Sequence, residues 1–170
     1  MTEVTTPRGE VLPDPDGVRV EYRRTLPQPP GELWAALTEP DRLARWIGTW
    51  TAGGETGVGS TVQFVMLAEG EGEPEPVTVR ECDPPRRLVV DWHVPDEALW
   101  RVEVTLTPED AGTSLLFVQR MSEPEGLGDI GPGWHYYLDR LQASLAGAEL
   151  PRWDDYYPAL RDAYETAARG

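Results

Sequence analysis

His93 and His135 are the only two histidines in the chain. His93 follows Asp91 by two residues in the alternating stretch Arg87–Val94, so the two share one strand face. A carboxylate beside an imidazole can poise a general base. On an outer strand face the same pair also reads as a solvated surface pair, which is the favoured expectation. His135 lies about 100° round a helix from Trp134, where it either borders a cavity mouth or, as favoured, is an ordinary surface histidine. Gln119 shares its face with Leu115, Phe117 and Met121. A buried amide there must find partners, either on a ligand carbonyl or hydroxyl or on a neighbouring strand. Cys82 stands between Glu81 and Asp83, which disfavour a thiolate, so it is expected as a partly buried, unreactive thiol.

Several chemistries find no support. One cysteine and two histidines without short ligand spacing make no zinc set, and no Asp-rich loop fits calcium. Neither a metal nor a cofactor is expected. Gly53–Gly59 is rich in glycine but leads into a strand and contains no lysine, so it does not resemble a phosphate loop. No Gly-x-Ser-x-Gly elbow occurs. The chain holds no lysine at all, which excludes Schiff-base chemistry.

Net charge is −15, spread evenly: 15 acids against 7 arginines in residues 1–85, and 15 against 8 in residues 86–170. Such a surface suits neither phosphate backbones nor anionic lipid, so no nucleic-acid partner is expected. No apolar run reaches the ~20 residues that span a bilayer, and residues 2–7 show no basic region followed by an apolar stretch. Membrane insertion is not expected, and the cytoplasm is the expected location.

The elements that must position these residues follow from the hydrophobic period. Residues 1–17, rich in Thr, Pro, Gly and Asp, read as a flexible arm. Val18–Leu26 alternates as a half-buried strand. Pro27–Pro30 ends it and opens a short helix at Glu32–Leu37, with a second at Glu39–Trp46 after a break at Pro40. Thr51–Gly59 is loop. Strands follow at Thr61–Ala68, Val77–Cys82, Arg87–Val94, Leu99–Thr107 and Thr113–Met121, with an acidic turn at Glu69–Pro76. From Gly133 the apolar residues Trp134, Tyr137, Leu138, Leu141 and Leu145 recur at helical spacing, and Gly147 ends that helix. A last helical piece begins around Pro158. Its stripe of Trp153, Tyr156, Tyr157, Leu160 and Tyr164 either packs on its own domain or forms a homodimer contact. Grouped strands with helices set apart mean an α+β fold with an antiparallel sheet.

Val18–Leu26, Pro30–Pro40 and Leu43–Trp46 resemble the opening of the START-like (SRPBCC) superfamily, and within it the ATPase-activator-homologue family of heat-shock co-chaperones. Gly59–Phe64, Pro84–Trp92, Val102–Leu106 with Gly112-Thr113, and Gly133-Trp134 with Leu138–Leu141 agree in order. The resemblance covers residues 18–147, leaving 148–170 as a C-terminal helical extension. It implies a helix-grip fold, in which a curved six-stranded antiparallel sheet holds the long helix around a hydrophobic ligand. Phe64, Met66, Trp92, Phe117, Gln119, Trp134, Leu138 and Leu141 are the expected ligand-binding residues. A binding module for a small hydrophobic or aromatic molecule is the leading expectation. Its rivals are a polyketide cyclase or dehydratase, with His93, His135 or Gln119 moving protons, and a stimulator of a heat-shock ATPase.

Overall fold

The computed structural model describes residues 4–50, 57–67, 72–93 and 99–169; most of the glycine-rich stretch and part of the acidic turn lie outside the described residues. The chain is α+β, as expected. Its strands are β1 (Glu10–Asp14), β2 (Gly17–Leu26), β3 (Gly48–Trp50), β4 (Thr61–Met66), β5 (Glu75–Asp83), β6 (Arg87–Trp92), β7 (Trp100–Glu109) and β8 (Gly112–Met121). They form one sheet ordered β1-β2-β8-β7-β6-β5-β4-β3, and every pairing is antiparallel.

The sheet therefore has eight strands, not the expected six. The two additions are its edges. Strand β1 lies inside the stretch expected to be a flexible arm, where Pro13 and flanking acids hide the strand signal. Pairing with β2, from Glu10↔Glu21 to Asp14↔Gly17, fixes it there. Both the proline and the charges suit an edge, where no ladder bond is owed on the outer side. Strand β3 is only three residues long and pairs with β4.

Helix α1 (Pro30–Thr38) starts on a proline that presets φ and costs no intrahelical bond there. It stops at Glu39, which Pro40 holds extended, and α2 (Pro40–Leu43) follows. The long helix α3 (Leu127–Ala146) starts six residues before the expected Gly133 and carries Pro132 inside it. Gly147, with φ +64°, closes it as expected. A 3-10 turn at Trp153–Asp155 leads to α4 (Arg161–Ala168).

Alternation sets the two faces of the sheet. Val20, Tyr22, Phe64, Val77, Val90, Trp92, Val104, Leu106, Leu115 and Phe117 face inward and pack with Trp134, Leu138 and Leu141 of α3. Helices α1 and α2 add Leu33, Leu37, Leu43 and Trp46 to the same core. The outer face is laced by ion pairs. Asp91 takes hydrogen bonds from Arg80 and Arg101, and Glu103 takes them from Arg87 and Arg120, which also reaches Asp14. Asp91 is thus not a solvated partner of His93: its accessibility is 0%, because two arginine stems lie over it. Burial pushes its carboxyl up, and the Arg101 and Arg80 guanidinium groups overcome this and hold it below the usual range. Among the described residues no helix is long and apolar enough to cross a membrane.

Candidate functional site

Two spaces meet at the core end of α3. The first is an interior cavity of about 70 Å³ lined by Leu37, Trp46, Phe64, Val104, Phe117 and Trp134, among others. This is about two waters' worth of volume, well below the ~150 Å³ that admits benzene. The second is an open cleft of about 340 Å³ between the β6–β7 end of the sheet and α3, within the usual size of small-molecule sites. Met66, Trp92, Trp100, Trp134, Tyr137 and Trp153 give it aromatic and apolar walls, and Glu75 and Asp129 stand among them. Trp92 and Trp134 line both spaces and form the partition between them.

The walls are held rigidly. Trp92 Nε1 donates to Glu75 Oε2 at 2.7 Å, and Trp134 Nε1 donates to Gln119 Oε1. Trp92 packs edge-on to Phe64 at 4.9 Å and to Trp134 at 5.9 Å, while Trp134 meets Phe117 at 4.6 Å and Tyr137 at 6.1 Å. Such T-shaped and tilted contacts are the favoured arrangement of ring quadrupoles.

The eight residues expected to bind ligand therefore separate. Met66, Trp92 and Trp134 line the cleft, and Phe64 and Phe117 line the small interior cavity. Leu138 and Leu141 are fully packed core, at 1% and 0% exposure, and line neither space. Gln119 stands behind Trp134 and anchors it; its amide nitrogen has no hydrogen-bond partner among the described residues. The expected residues omitted Trp100, Tyr137 and Trp153. The first two were legible as large rings. Trp153 reaches the cleft from the C-terminal extension, so part of the aromatic stripe serves this wall while Tyr156 and Tyr164 bury in their own chain.

The candidate proton-transfer groups are not brought together. His93 is exposed beyond the end of β6, with Nε2 at 3.5 Å from Thr78 Oγ1. His135, expected at the surface, has 0% accessibility. The reason is that α4 and the N-terminal segment cover the face of α3 opposite the sheet. Thr6 Oγ1 donates to Asp139 Oδ2 at 2.7 Å and lies 2.8 Å from His135 Nε2. Having spent its hydrogen on Asp139, Thr6 must accept from Nε2–H, so the ring is the neutral Nε2–H tautomer. Its Nδ1 then accepts from Tyr164 Oη at 3.3 Å, and that oxygen takes the Gly9 N–H at 2.8 Å.

Asp139 completes this cluster by accepting from Tyr156 Oη at 2.6 Å and from the buried Arg24 at 3.3 Å. Burial drives the His135 pKa down to about 4, against the opposing pull of Asp139 and with help from Arg24 and Arg8. Sequence reasoning missed the cluster. The available signal was Arg23-Arg24, where the alternation of β2 puts a charge on the inward face. Among the described residues no group of His, Cys, Asp and Glu could hold a metal ion. Cys82 is half-buried on β5.

Comparison with known proteins agrees with this fold. The crystal structure of CalU16 from Micromonospora echinospora superposes with a TM-score of 0.78 at 24% identity, over 98% of this chain and 100% of that one. Protein MLL2253 from Mesorhizobium loti gives 0.65 at 24%, over 78% and 99%. DynU16, a protein of the dynemicin biosynthetic locus, gives 0.66 at 24%, over 86% of this chain and 51% of that one. At such identities the likeness establishes the fold alone. No curated protein matches the sequence. The model of the "Activator of Hsp90 ATPase homolog 1-like protein" family matches residues 27–146, from just before α1 to the end of α3, and the chain belongs to that family.

Proposed function

We propose that the protein binds a small hydrophobic or aromatic molecule in the cleft between α3 and the β6–β7 end of the sheet. One observation carries this reading: a space of about 340 Å³ whose walls are four tryptophans, a tyrosine and a methionine. Trp100 and Trp153 are the partly exposed rings of this cleft; their open surface forgoes burial at roughly 25 cal/mol per Å², and a ligand that covers them recovers it. The interior cavity of about 70 Å³ is too small to be the site as it stands. The ligand lies at the mouth of the grip, against the Trp92–Trp134 partition.

Native mass spectrometry of freshly purified protein tests the proposal. The expected result is a reproducible extra mass, lost on denaturation and diminished in Trp100→Ala and Trp153→Ala. These two residues are only partly buried, so both variants retain the core. A bare chain mass, persisting after incubation with a panel of aromatic compounds, would sink the reading.

A further inference from the structure

We infer that the ligand of this cleft is an organic cation: a flat apolar body carrying a protonated amine or a quaternary ammonium group. The inference rests on the binding reading above and names the ligand class. Aromatic rings attract cations through their negative faces, tryptophan most strongly, and a cage of several rings at steep angles is how proteins hold an ammonium group. Here Trp92, Trp134 and Tyr137 pack edge to face on one another at interplanar angles of 69° and 67° and form the buried back of the cleft, and the partly exposed Trp100 and Trp153 are its open rings.

The charges in the cleft have one sign. Its only charged described lining residues are Glu75 and Asp129, and the cation near them, Arg161 beside Asp129, does not line it. The first turn of α3 contributes roughly half a positive charge, which Asp129 in that turn offsets. Glu75 then leaves the cleft net negative, and its bond from Trp92 Nε1 fixes the carboxylate against the ring wall. An apolar anion of the same shape would meet both carboxylates and the negative ring faces. The overall charge of −15 strengthens the same preference at long range.

Equilibrium dialysis of the full chain with three naphthalene probes provides the test: 2-naphthylmethanol, (2-naphthylmethyl)trimethylammonium and 2-naphthylacetate. The cation is expected to bind on the order of tenfold more tightly than the neutral probe, with the anion weakest. Glu75→Gln and Asp129→Asn should each narrow the ratio of cation to neutral affinity. The Asp129 variant lies on an exposed position, so it keeps the test open if Glu75→Gln disturbs Trp92. A neutral probe that binds as tightly as the cation, through a site sensitive to Trp100→Ala, overturns the cation assignment and leaves the cleft reading standing. Failure of all three probes to bind, or binding indifferent to Trp100→Ala and Trp153→Ala, overturns the cleft reading and this inference with it.

Discussion

Acidification to pH 5 should weaken the fold chiefly through His135, before most carboxylates are protonated. An unfolded histidine titrates near pH 6.5, whereas burial holds His135 at about 4. Between those values the unfolded chain binds a proton that the folded chain refuses. Stability from this group is therefore complete above about pH 6.5 and is lost as pH falls toward 4. Linkage gives a loss of about 2 kcal/mol between pH 7 and pH 5, rising to about 3 at pH 4. The geometry says why the proton is refused. It would have to sit on Nδ1, where Tyr164 Oη already donates, with Arg24 and Arg8 adding like charge.

Urea unfolding at half-unit steps from pH 7.5 to 4.5 measures the loss, and His135→Gln is the control. Glutamine keeps an N–H and an acceptor but does not titrate. The variant is expected to be less stable at pH 7 and to show a much flatter profile, so that the two curves converge below pH 5. Asp91 and Glu103, both held below their usual range against the push of burial, belong to a more acidic window and act equally in both proteins. Parallel curves for wild type and His135→Gln would refute the reasoning.

Asp139→Ala should be among the costliest substitutions, because it strands a guanidinium whose side chain is only 4% exposed. About 3–5 kcal/mol is expected, which at about 2–4 °C per kcal/mol is a fall in Tm of roughly 6–20 °C. The double variant Arg24→Met with Asp139→Leu should recover much of it, and a calorimetric loss under about 1 kcal/mol in Asp139→Ala would show the pair to be dispensable. Gly131→Ala would place a Cβ 2.3 Å from the Tyr164 ring, an overpacking worth about 1–3 kcal/mol. It should loosen α4 first, seen as faster proteolysis beyond Gly147, and an unchanged cleavage pattern would contradict the close packing of α3 on α4.

How much was legible depends on how many faces an element must satisfy. Strands β2 and β4 to β8 have one inward face, and a period of two in Val20-Tyr22, Val102-Val104-Leu106 and Leu115-Phe117 was enough to place them. Helix α3 is covered on two sides, by the sheet through Trp134, Leu138 and Leu141 and by the C-terminal extension through Tyr156 and Tyr164. A single apolar stripe describes only the first side, so His135 on the second reads as a surface residue. The start of α3 was hidden because Gly128, Gly131 and Pro132 are poor helix formers. There the packing decides: Cβ atoms on those glycines would strike Glu165 and Tyr164. The ring-rich cleft was half legible, since counting tryptophans finds rings but not which of them face an opening. Trp92 and Trp134 line the cleft, while Leu138 and Leu141 carry the same sequence pattern and are wholly core.

The clasp between the two ends of the chain has a consequence for how the protein is made. Gly9 bonds Tyr164, 155 residues further along, and Thr6 bonds His135 and Asp139. A ribosome adding roughly 5–20 residues per second delivers Tyr164 some 8 to 30 s after Gly9. For the earlier part of that interval β2 also waits for β8, its central partner in the sheet, which ends at Met121. Hairpins β1–β2, β4–β5, β5–β6 and β7–β8 can pair as they emerge, whereas β1–β2 can join the rest of the sheet only after β8, and the segment that seals His135 can be placed only after Tyr164. The nascent protein thus carries an open sheet edge at β2 until β8 is made, and the segment around Tyr164 rather than the N-terminal strands closes the clasp.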